Sequence, residues 1–107
     1  MISRIWHGWT TVKNADKYEE LLRREVLPGI NRVEGFLGAH LLRRDLTNEV
    51  EFVTITLFDS LNAVRAFAGE DYEKAVVPAR ARELLSRFDQ RSQHYNTLLT
   101  PQRKLKA

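Results

Sequence analysis

The chain has 107 residues, enough for one domain with a real core, and its 43% hydrophobic and 29% charged content is that of an ordinary globular protein. It has no cysteine, which excludes a disulfide framework and thiolate metal sites. The net charge of +3 is matched by Arg103, Lys104 and Lys106 near the C-terminus, and no nucleic-acid-binding motif accompanies it, so no nucleic-acid partner is expected.

Residues 2–12 are rich in β-formers (Ile5, Trp6, Trp9, Thr10, Thr11, Val12) and predict a strand. Asn14 or Asp16 then caps a helix, with Asp16 and Glu19 fitting a capping box. Tyr18, Leu21, Leu22 and Val26 lie on one face of that helix; Pro28-Gly29 ends or kinks it, and Gly35 is its stop. Residues 36–45 and 51–58 predict two strands joined by the turn Thr47-Asn48-Glu49. In the second of these, Val53, Ile55 and Leu57 share one face and Phe52, Thr54, Thr56 and Phe58 the other. Both faces are largely apolar, so the strand should be covered on both sides.

Asp59-Ser60 caps a short helix with Leu61, Val64, Phe67 and Ala68 inward and Gly69 as its end. Asp71 caps a further helix that meets Pro78, and from Pro78 a new segment keeps Ala81, Leu84, Leu85 and Phe88 at helical spacing. Residues 91–99 form the last strand, and 100–107 a basic tail expected to be mobile. No apolar stretch approaches the roughly 20 residues of a membrane helix, and the N-terminus does not read as a signal peptide, so a cytoplasmic protein away from membranes is expected.

The order β-α-β-β-α-β is the split βαβ, ferredoxin-like pattern of an α+β domain over 1–99. Right-handed crossovers place the first and third strands at the centre of a four-stranded antiparallel sheet. Two helices cover only one face of such a sheet. The simplest cover for the other is a second copy of the chain, which predicts a homodimeric α+β barrel.

Arg4-Ile5-Trp6-His7-Gly8 resembles the opening strand of antibiotic-biosynthesis-monooxygenase-like domains. Leu42-Arg43-Arg44 fits their second strand, Phe58-Asp59-Ser60-Leu61-Asn62-Ala63 with Phe67-Ala68-Gly69-Glu70-Asp71 their turn into the second helix, and His94-Tyr95 their closing strand. The resemblance spans 1–99 and implies a dimeric barrel of ferredoxin-like subunits. Members include oxygenases that act on polycyclic phenols or quinols without metal or flavin, and others that degrade haem. The haem-degrading members resemble one another in an Asn on the first strand, a Trp on the second helix and a His further on. Here His7 lies near the first position, Phe67 near the second, and Val76 stands at the third. Valine cannot ligate iron, so no haem is expected.

These residues define the expected site. His7 and His94 are candidate general bases, since imidazole titrates near neutrality. They fall on strands that the ferredoxin order makes neighbours, and so line one cavity if register and facing agree. Trp6 and Trp9 are candidate stacking surfaces with Phe67, and Arg44 or Tyr95 would hold a substrate oxyanion. Trp6 and Trp9 point to opposite faces, whereas His7 and Trp9 share one. The histidines show no local metal-ligand spacing and there is no phosphate loop, so no metal or organic cofactor is expected. The leading expectation is a cofactor-independent monooxygenase that uses molecular oxygen on a small aromatic, quinol or enolic molecule. A non-catalytic ligand-binding or stress-associated barrel is the alternative, and an isomerase-type or dehalogenase-like step on the same barrel a third.

Overall fold

The computed structural model describes residues 1–101, so the predicted basic tail lies outside the described residues from 102 onward. Five strands, β1 (Ile2–Thr11), β2 (Phe36–Asp45), β3 (Glu49–Phe58), β4 (Leu85–Phe88) and β5 (Gln93–Asn96), form one antiparallel sheet. The order is β2-β3-β1-β4, with β5 also paired to β1. β1 and β3 are central and pair along their length, from Ile2↔Phe58 to Thr11↔Glu49. This is the ferredoxin-like α+β arrangement, with the helices on one face.

The helical layer begins with α1 (Ala15–Leu21), passes through a π-helical turn at Leu22–Val26 and resumes as α2 (Leu27–Ile30). Pro28 has no N–H to donate to the Arg24 carbonyl and its ring crowds that carbonyl, so the chain widens there. The expected capping box is absent. Asn14 is the N-cap without a side-chain cap bond, and the Asp16 and Glu19 carboxylates both accept from Arg43. α3 (Leu61–Ala68) follows the sequence reading: Ser60 accepts from the Ala63 N–H, and Gly69 at φ +91° ends the helix.

Three elements depart from expectation. No helix forms after Asp71. Its carboxylate pairs with Arg91, and residues 73–75 instead hydrogen-bond to 90–92 through Ala75 N–H to Gln90 O and Ser92 N–H to Glu73 O. The β-branched pair before Pro78 also disfavours helix. The predicted helix from Pro78 is α4 (Ala79–Leu84), which stops before Leu85. Leu85 and Phe88 lie in β4, where Thr10 pairs with Leu85 and Gly8 with Phe88, so a bulge at Ser86 brings both to one face. That odd spacing imitates a helical stripe. The last strand is therefore split into β4 and β5, with an excursion at residues 89–92.

Even-numbered residues of β1 face the helices, where Ile2, Arg4 and Thr10 are buried. The core on this side falls into two clusters. One joins Tyr18, Leu21, Leu22, Val50, Phe52 and Ala81; the other joins Ile2, Phe58, Ala63 and Val64. Arg4 sits on β1 between Ile2 of one and Trp6 against the other, where the helical layer parts. The opposite face carries Ile5, Val53, Ile55 and Leu57, all half-buried, and has no helix over it.

Candidate active site

The gap between the two core clusters is a cleft whose empty space, mouth included, is about 590 Å³. Its walls are aromatic and aliphatic, with Trp6, Tyr18, Phe67 and Val76 prominent, and Arg4 and Ser92 are buried polar side chains among them. Leu22, Val26 and Ile30 reach it because the π-helical turn keeps this four-residue spacing on one side. Gly8 is the reason Trp6 lies where it does: a Cβ there would sit 2.5 Å from the Trp6 Cη2 atom, so the indole lies across bare backbone. The indole N–H donates to the Asp89 carbonyl at 2.8 Å, which fixes the ring.

Arg4 is 4% exposed. Its Nη1 donates to the Tyr72 carbonyl and, at 2.9 Å, to His94 Nε2; its Nη2 donates to the Lys74 carbonyl at 3.1 Å. The guanidinium also lies 5.5 Å from the Phe67 ring centre. No carboxylate is among these partners. Burial without a counter-charge lowers the Arg4 pKa to about 10, which still leaves it cationic at neutral pH. The Ser92 hydroxyl is buried with no hydrogen-bond partner among the described residues.

His94 lies opposite Arg4 in the β1–β5 pairing, with the Tyr72 ring edge-on at 5.1 Å. An arginine only donates, so Nε2 is the acceptor and the neutral ring carries its hydrogen on Nδ1. Burial, and then the Arg4 charge, push the His94 pKa down, with Glu73 opposing.

His7 and His94 do lie on neighbouring strands, but their facing does not agree. His94 pairs with Arg4, three residues from His7, and an odd step crosses the sheet. His7 is on the open face, where Nδ1 bonds Asp89 Oδ2 at 2.8 Å and the ring stacks on Trp9 at 6.1 Å. Arg87 lies 3.9 Å over Trp9 and pairs with Glu49. Arg44 pairs with Glu51 on the same face, and Tyr95 is half-exposed, donating to Gln93. Of the seven expected site residues, the cleft thus brings together Trp6 and Phe67, with His94 behind Arg4. His7, Trp9, Arg44 and Tyr95 lie on the far side of the sheet. Arg4 and Ser92 were missed. Strand alternation held the signal for Arg4, which stands in file with Ile2 and Trp6.

The residues of the cleft do not fit haem. No His, Cys or Met lines it, Val76 is aliphatic, and burial keeps the Tyr18 phenol protonated by raising its pKa. Among the described residues no three His, Cys, Asp or Glu side chains are grouped to hold a metal ion.

The family model for antibiotic biosynthesis monooxygenase matches residues 9–79. The chain belongs to that family. No curated protein matches it by sequence. Solved structures share its fold at low identity. SnoaB, a cofactor-independent oxygenase from Streptomyces nogalater, is 17% identical over 92% of this chain and 95% of its own, with a TM-score of 0.64. MhuD, a heme-degrader from Mycobacterium tuberculosis solved with two hemes in its active site, is 18% identical over 95% and 100%, at 0.61. The ActVA-Orf6 monooxygenase of Streptomyces coelicolor, in complex with Nanaomycin D, is 18% identical over 99% and 91%, at 0.56. Family membership rests on 9–79, so Arg4, Ser92 and His94 lie outside the matched segment and their roles rest on geometry.

Proposed function

We propose that this family member is a small cofactor-independent monooxygenase that oxidises an aromatic, quinol or enolic substrate in the cleft, with molecular oxygen as co-substrate. The observation that carries this reading is a buried, carboxylate-free Arg4 among the aromatic walls of the cleft. Such a cation favours loss of a proton from a bound phenol or enol, because the anion formed sits beside it in a low dielectric. The anion gives one electron to oxygen, and the resulting radical and superoxide combine to form a carbon–oxygen bond. Cleavage of the O–O bond with loss of water leaves a carbonyl. The net change is CH₂ plus O₂ to C=O plus H₂O, and it needs no other oxidant or reductant.

Both histidines are placed poorly for the base expected of them. His7 has an orienting carboxylate but lies across the sheet from the cleft, and His94 already spends Nε2 on Arg4. We assign His94 as the residue that positions Arg4. His94→Gln tests the assignment, since the amide oxygen can accept from Arg4 but cannot take a proton. Turnover within about tenfold of the parent supports positioning, whereas a folded variant slowed by about 10²–10⁴ returns His94 to general-base work. Oxygen uptake over a panel of hydroquinones and anthrones tests the activity itself; none across the panel would favour a non-catalytic binding barrel.

A homodimer through the open faces of two sheets, and a cytoplasmic location, complete the proposal. Half-buried Ile5, Val53, Ile55 and Leu57 form the apolar file that a second copy would cover. Among the described residues no helix is long and apolar enough to cross a membrane.

A further inference from the structure

The hydrogen-bond arithmetic of Arg4 narrows the substrate. A guanidinium has five N–H donors. Three are taken, two on Nη1 and one on Nη2, by the Tyr72 carbonyl, His94 Nε2 and the Lys74 carbonyl. The Nε–H and one Nη2 hydrogen have no acceptor among the described residues. Those two nitrogens form the side edge of the guanidinium, the edge that grips two neighbouring oxygens at once. Ser92, 3% exposed, lines the same cleft with an unpartnered hydroxyl. Three polar groups thus lack a partner among the described residues beside the aromatic walls of one cleft, and the buried Ser92 hydroxyl is costly to leave unsatisfied.

We propose that the cleft takes its ligand as a planar monoanion whose charge is shared by two neighbouring oxygens, gripped by the side edge of Arg4 with Ser92 as an additional donor. Two kinds of compound present that group: an ionised hydroxy-ketone, such as a ring hydroxyl beside a ring carbonyl, and an aromatic carboxylate. A lone phenol presents one oxygen and leaves a donor unmet. The inference rests on the oxygenase reading only for the reaction; the binding site stands on its own geometry. Pairing Arg4 with an anion also offsets the lesser of the two influences that lower the His94 pKa, burial being the larger.

The experiment compares each acid with a neutral counterpart on the whole protein. The probes are 5-hydroxy-1,4-naphthoquinone with its methyl ether, and 2-naphthoic acid with its amide. The chain has no cysteine thiol to consume the quinone. Binding is followed by tryptophan fluorescence and ionisation of the quinone by its red-shifted absorbance. At least one acid should bind tenfold or more tightly than its neutral partner, and which acid does so identifies the source of the two-oxygen anion. If it is the quinone, its hydroxyl should ionise at least one pH unit lower when bound. The preference should vanish in Arg4→Gln and weaken in Arg4→Lys, which keeps the charge without the fork. Equal binding of acid and neutral partner in both pairs would overturn the proposal, as would a preference that survives in folded Arg4→Gln. Should Arg4→Gln fail to fold, Arg4→Lys and Ser92→Ala decide: a preference unchanged in both folded variants also overturns it. Anion selection without oxygen uptake retires the oxygenase and keeps the site; uptake without anion selection does the reverse.

Discussion

On the helix side of β1, the Arg4 guanidinium is buried against two carbonyls and a neutral imidazole, with no carboxylate among its partners. On the open side, Arg87 pairs with Glu49, Arg44 with Glu51 and His7 with Asp89, all at least partly exposed. Both faces carry the aromatic and basic residues that a binding site needs. They differ in what is left unmet. The open face satisfies its charges within the chain, and exposed pairs of this kind contribute little to stability. The buried face keeps a cation and a hydroxyl without full partners, and in a low dielectric such groups are worth keeping only if something else completes them. The faces are therefore told apart by electrostatic bookkeeping, since composition alone makes them look alike.

Substitution of Arg4 should break this contrast most. Arg4→Met should lower turnover by about 10²–10³, the usual cost of losing one preorganised donor to a developing oxyanion. Arg44→Met, the matched change on the open face, should stay within about twofold, because Arg44 is an exposed partner of Glu51. Oxygen uptake measures both, and equal losses would erase the distinction between the faces. The open face has its own test. Ile55→Lys places a charge in the middle of the apolar file, and sedimentation should show the mass drop from about twice 12.5 kDa to that of one chain. A parent protein that is already monomeric would show that this face is not a dimer interface.

Gly8→Ala acts between the faces by driving a methyl into the indole of Trp6. It should cost about 1–3 kcal/mol in urea unfolding, the range for overpacking, and weaken probe binding in the cleft. A smaller effect is expected from pH. The His94 pKa is lowered in the folded protein, chiefly by burial and then by Arg4, while an unfolded histidine titrates at about 6.5. Between those values the unfolded chain binds a proton that the folded one does not. Stability should therefore fall as pH drops below about 6.5 and recover as it rises. His94→Gln should flatten that part of the curve. It should spare the acid loss at lower pH from Asp45 and Asp71, whose carboxyls Arg43 and Arg91 hold below their ordinary range. The smallest change belongs to His7→Ala. Its bond to Asp89 is partly exposed, so the loss should be under about 1 kcal/mol in thermal unfolding, with turnover near that of the parent. A large loss of turnover there would move the chemistry to the open face.

The Ser60 cap and the Gly69 stop were legible in the chain because each is set by neighbours a few residues apart, and the central pair β1 and β3 because right-handed crossovers leave that element order one arrangement. Alternation also separated Trp6 from Trp9 and joined His7 to Trp9. The helix expected through Phe88 failed because the Ser86 bulge gives a strand an odd spacing, and a bulge is decided by its partner strand. The helix expected after Asp71 failed because Asp71 found Arg91, twenty positions away. The same reasoning sorts the site. Local sequence determined a ferredoxin-like α+β domain with aromatic and basic residues on its first strand. Only the tertiary structure decided which of them share a cavity, because facing across strands depends on register, and register placed His94 opposite Arg4 and left His7 to Asp89. It also decided which charge lacks a partner: Arg4 resembles the chain's other arginines until the fold shows which carboxylates come near it.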